Sequence, residues 1–151
     1  MELNIKNFDC LGSSCPNHCC GAFDGITPNL KSVEGRSFSD IILTPEDERS
    51  LREGGYDSYI VRGADGVARI KTAEDGTCSA LKDGKCLVYE HRPSICKAYP
   101  LYLDMFSGLC FVNECVAFTE DIDVDDCRVA LGSLLDLYEF WIDHYRNLIR
   151  D

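Results

Sequence analysis

The sequence is short of positive charge: 15 Lys and Arg stand against 26 Asp and Glu, a formal net charge of −11. No basic cluster or stripe offsets that balance, so neither a nucleic-acid backbone nor an anionic membrane surface is an expected partner. No apolar run approaches the roughly 18 residues needed to cross a bilayer. The segment Met1–Cys10 has neither a basic lead-in nor a continuous apolar stretch, so no secretory signal is visible and a cytoplasmic location is expected. The patterns G-x-G-x-x-G, H-E-x-x-H and G-x-S-x-G and the Walker-type loop are all missing, which removes the common nucleotide-binding and hydrolase sites. Disorder is excluded from the other direction. Hydrophobic residues make up 45% of 151 positions, enough to form one domain, 1–151, with its own core.

Cysteine is what the chain has in excess, ten in all. Clustered thiols in a reducing compartment are more often metal ligands than disulfides. Disulfide or redox pairs and inert buried thiols are the competing readings. The first cluster, Cys10-x4-Cys15-x3-Cys19-Cys20, places four thiols within eleven residues, flanked by Gly, Pro and Asn that permit tight wrapping. Tetrahedral zinc and iron–sulfur clusters both need sulfurs converging at about 2.3 Å. Adjacent side chains diverge in most backbone conformations, so Cys19 and Cys20 feed two sites or one of them is a spare. His18 lies inside this cluster as a substitute or outer ligand.

A second group is Cys78, Cys86 and Cys96. If Asp83-Gly84 closes a hairpin, Cys78 and Cys86 fall on facing strands, and the turn after Pro93 returns Cys96 toward them. A fourth thiol would come from Cys110, Cys115 or Cys127. Arg92 lies close by in sequence. Its guanidinium either offsets thiolate charge and donates to sulfur or a bound carboxylate, making it a cofactor-binding residue, or it holds the turn through backbone carbonyls. Asp121-x-Asp123-x-Asp125 resembles the opening of a calcium loop, but Asp126 stands where Gly is needed and Gly132 where Glu is needed, so a solvated acidic lead-in is expected.

The expected fold class is α+β, a small metal-stabilised domain of short hairpins and two helices. Thr44-Pro45-Glu46-Asp47-Glu48 carries a capping hydroxyl, Pro at the first helical position and early acids, which predicts a helix over 45–53 ending at Gly54. Hairpins are expected around Asp65-Gly66 (56–62 with 67–72), Asp83-Gly84 (78–81 with 85–89) and Phe106-Ser107-Gly108 (101–105 with 109–113). Leu131, Leu134, Leu135, Tyr138, Trp141, Ile142, Tyr145, Leu148 and Ile149 recur at helical spacing and predict an amphipathic helix over 126–149. The stripe is wider than a two-stranded coiled-coil seam, so core packing is its expected role, with a dimer seam or aromatic cofactor face as alternatives.

The cluster ending in Cys19-Cys20, the Leu43-Thr44-Pro45-Glu46-Asp47 helix start, Asp75-Gly76-x-Cys78-x-x-Leu81, Cys86-x-x-Tyr89-Glu90-x-Arg92-Pro93-x-x-Cys96 and Tyr99-Pro100 together resemble the CxxCxxCC zinc- or iron-chelating family, also called YkgJ-like cysteine-cluster proteins. That family includes flagellin lysine N-methylase, a longer relative. The resemblance implies metal binding and participation in protein or peptide modification. The x4 and x3 spacings here are wider than the family's usual first cluster.

The leading expectation is a cytosolic iron–sulfur protein acting in redox or metal-centred chemistry beside a protein or peptide partner. Two 4Fe-4S clusters would draw on Cys10, Cys15, Cys19, Cys20, Cys78, Cys86, Cys96, Cys110 and Cys115, with Cys127 in reserve. A zinc-stabilised protein-binding module and a peptide-modifying enzyme are the alternatives. Iron and zinc both accept thiolates at these spacings, so the spacings leave the metal open.

Overall fold

The hydroxyl of Thr44 accepts a hydrogen bond from the Asp47 amide at 3.1 Å, while the Asp47 carboxylate accepts one from the Thr44 amide at 3.0 Å. This reciprocal cap, with Pro45 in the first turn, starts helix α1 at Pro45–Glu53, the range expected, and Gly54 caps its end. The computed structural model of the chain describes residues 32–36, 40–112 and 127–150. These residues form an α+β architecture that divides into two compact units, one within 11–93 and one that includes 94–150.

In the first unit, α1 turns its Leu51 into a core shared by Leu43, Ala68, Ile70, Cys78, Ala80 and Val88. Strand β1 (Ile60–Arg62) pairs antiparallel with β2 (Ala68–Ile70) in the register Ile60 to Ile70 and Arg62 to Ala68. The other edge of β2 is used as well, by Leu43 N to Ala68 O at 2.8 Å and Ile70 N to Ile41 O at 3.0 Å. Alternation puts Ala68 and Ile70 inward and leaves Arg69 between them half-buried, where it pairs with Asp65 at 2.7 Å and Asp40 at 3.4 Å. The expected strand over 56–62 is shorter than predicted, because Asp57–Tyr59 forms a 3₁₀ turn ahead of β1.

Past β2 the chain reverses at Asp75-Gly76, with Ala73 N to Thr77 O at 2.8 Å and a bridge between Thr72 and Cys78. It reverses again between β3 (Leu81–Lys82) and β4 (Lys85–Cys86). Here Asp83 and Gly84 both take positive φ, 51° and 72°, the signature of a two-residue type I′ turn whose twist matches the strands. The predicted strand over 85–89 stops at Cys86, because Tyr89–His91 winds into a 3₁₀ turn and Pro93 holds Arg92 out of helical backbone.

The second unit begins with α2 (Ser94–Ala98), a short helix where a turn was expected. Strands β5 (Leu101–Asp104) and β6 (Gly108–Phe111) form the third hairpin, its turn fixed by the Asp104 carboxylate accepting from the amides of Phe106 and Ser107. Helix α3 spans Arg128–Arg150, two residues later at its start than predicted. It packs against α2 and β5. Ala130, Leu134 and Leu137 are buried there, and the Tyr138 hydroxyl donates to the Leu103 carbonyl at 2.7 Å.

The apolar stripe on α3 is not wholly core. Leu135, Tyr138, Ile142, Tyr145, Leu148 and Ile149 are all exposed. Among the described elements the difference in length accounts for this: α3 has 23 residues, about 35 Å of helix, whereas α2 has five residues and β5 four. No described helix is long and apolar enough to cross a membrane.

Candidate metal centre

Five of the ten cysteines lie in the described residues. Cys10, Cys15, Cys19, Cys20 and Cys115 lie outside them, as do His18 and the Asp121–Asp125 run. In the first unit, Cys78 is 7% exposed and belongs to the core cluster, while Cys86 is half-buried against the same cluster. The two do not face each other across a ladder as expected. Cys86 is opposite Leu81, and Cys78 bridges Thr72 instead, because the chain turns between Cys78 and Leu81 with Leu81 N bonding Cys78 O at 3.0 Å.

In the second unit, Cys96 is half-buried on α2 and Cys110 sits on β6 opposite Tyr102 of β5. Desolvation, followed by the neighbouring Cys110 thiol and then the Asp104 carboxylate, raises the Tyr102 phenol above its usual range. Cys127 is buried directly ahead of α3. No disulfide joins these five cysteines to one another. Nor do three His, Cys, Asp or Glu side chains gather into a metal site among the described residues.

Arg92 is engaged with its own turn. Its Nε donates to the Tyr89 carbonyl at 3.1 Å and its guanidinium lies 3.8 Å from the Tyr89 ring centroid. This is the turn-holding geometry, one of the two roles weighed for it. His91 is half-buried against the Tyr56 ring, with Nδ1 at 3.0 Å from the Ser50 hydroxyl. Nothing local in the sequence signals that contact, since Ser50 is 41 residues away.

Two ion clusters also escape a sequence reading. Arg69 and the Val67 amide hold the Asp65 carboxylate well below the usual carboxylate range, despite opposing desolvation. Glu48 is lowered in the same direction, first by its hydrogen bond to Arg52 and then by Arg62 against a desolvation cost. Asp65 thus pairs with Arg69 across the β1–β2 turn, and Glu48 pairs with Arg52 within α1 and with Arg62 on β1.

The candidate donors are the cysteine thiols. Cys86, Cys96 and Cys110 are partly open at the surface, and sulfur is the ligand that zinc and iron both accept. Ten cysteines in 151 residues make this a cysteine-rich protein. Residues 9–128 match the CxxCxxCC model, described as a zinc- or iron-chelating domain, and the chain belongs to that family. Searches among curated proteins and solved structures give no significant match.

Proposed function

We propose that the protein is a cytoplasmic iron–sulfur protein serving as a redox or metal-centred component of a protein- or peptide-modification system. The observation that carries this reading is ten cysteines in a chelating domain, more than a single four-thiolate centre uses. Cys10, Cys15, Cys19, Cys20, Cys78, Cys86, Cys96, Cys110 and Cys115 are the ligands available for two centres. An iron–sulfur cluster supplies one-electron transfer at a potential set by hydrogen bonds to its sulfurs and by solvent exposure. Among the described residues, Cys86 and Cys110 are carried on short hairpins and Cys96 on a short helix. The acidic surface fits a protein or peptide partner better than a polyanion.

The family description supports a second reading equally in chemistry: zinc bound by the same thiolates, folding the cysteine-rich segments so that an exposed surface recruits a partner. Anaerobic purification followed by iron, zinc and labile-sulfide analysis with a visible spectrum separates the two. Iron and sulfide in matching amounts with visible absorption are expected. A colourless protein holding zinc overturns the iron–sulfur reading and leaves the zinc module. Mass analysis of candidate peptides incubated with the protein tests the modification role.

A further inference from the structure

Helix α3 carries two apolar seams side by side. Ala130, Leu134 and Leu137 make the first, buried within the second unit. Leu135, Tyr138, Ile142, Tyr145 and Ile149 make the second, at alternating spacings of three and four. Those are the a and d positions of a heptad, and the residues there remain open to solvent, Leu135 at 51%, Ile142 at 46% and Ile149 at 83%. The helix begins at residue 128, where the family match ends, so this seam lies outside the chelating domain.

The charges identify an occupant. In a chain of net charge −11, α3 is balanced, with Arg128, Arg146 and Arg150 against Asp136, Glu139 and Asp143. Two copies of this helix meet without the repulsion the rest of the surface would impose. Flanking the seam, the e positions hold Glu139 and Arg146 and the g positions hold Trp141 and Leu148, while the g residue before them, Leu134, is buried within the unit. A parallel pair would set each e charge beside an apolar g residue. An antiparallel pair sets e against e and g against g. Glu139 then faces Arg146 of the second copy twice over, and Trp141 faces Leu148 on the opposite edge. The same register stacks Tyr138 on Ile149 and Ile142 on Tyr145.

We infer that the exposed seam of α3 is a homodimer interface in which two copies pair antiparallel, with orientation set by Glu139 and Arg146. The seam is short, so association is weak and follows mass action.

Sedimentation equilibrium of the full chain over a wide concentration range tests this. A monomer–dimer equilibrium is expected. Glu139→Arg and Arg146→Glu each place like charges at both flanking contacts and weaken the dimer by about tenfold or more. Mixing the two variants restores association, because every flanking contact in the mixed dimer is again complementary. Ile142→Asp abolishes the dimer while helical circular dichroism is retained. A monomer at every concentration, or a dimer indifferent to both charge reversals, overturns the inference, as does failure of the mixture to recover. Metal content is measured on the same samples, so the result stands apart from the identity of the metal.

Discussion

Cys86 stands directly across the β3–β4 ladder from Leu81. The pairing packs Cys86 against the cluster that buries Cys78, while Cys86 itself stays half-exposed. A core thiol and a surface-accessible one thus share a single small unit.

That difference in burial predicts different consequences of substitution. Cys86→Ser changes little apolar burial, so the metal-free protein should keep its unfolding free energy to within about 0.5 kcal/mol. Metal bound per chain should fall. Cys78→Ser places a hydroxyl in the core and should destabilise even the metal-free protein by about 1–3 kcal/mol. Denaturant unfolding after chelation, set beside metal analysis of the untreated protein, checks both. Unchanged metal content in Cys86→Ser removes it from the ligand set.

Arg92 covers the Tyr89 ring and bonds the Tyr89 carbonyl. Replacing it with Ala should cost about 1 kcal/mol of stability through loss of the stacked cation and the hydrogen bond. Bound metal should stay the same if the turn is its whole role. Arg92→Lys keeps the charge without the planar stack and should recover only part of the stability. Denaturant unfolding with metal analysis measures both, and a loss of metal without loss of stability would reverse this assignment.

The Asp65–Arg69 pair predicts an acid-dependent change in stability. The folded-state pKa of Asp65 is depressed, so folding favours the ionised form. The resulting stabilisation is fully present above the unfolded carboxylate value of about 3.9 and is lost as the pH falls through the lower folded value. Asp65→Asn should therefore be less stable than the parent protein near neutrality, and the gap should close as the pH drops below about 4. Thermal unfolding across that range reads the effect. A gap that does not vary with pH would mean the carboxylate charge contributes nothing.

Elements whose causes are local were legible from the chain. The reciprocal cap at Thr44 and Asp47, the Asp83-Gly84 turn and the period of α3 each depend on residues within a few positions of one another. The ends of the strands were not. Whether 85–89 continues as a strand depends on where Val88 is buried and where Pro93 redirects the backbone, and both follow from packing. The candidate site divides in the same way. Cysteine spacing marks candidate ligands, whereas Cys78 bridging Thr72 instead of facing Cys86 depends on a turn whose cause is the surrounding core.

By itself the sequence determined that this is a thiol-rich, acidic chain of a zinc- or iron-chelating family, because cysteine content and charge are properties of composition. Tertiary structure alone decided which thiols are buried, that Arg92 lies over Tyr89, and that only part of the α3 stripe enters a core. Each of these depends on how much neighbouring surface reaches a given face. On α3, among the described elements, α2 and β5 are too short to cover 23 residues of helix.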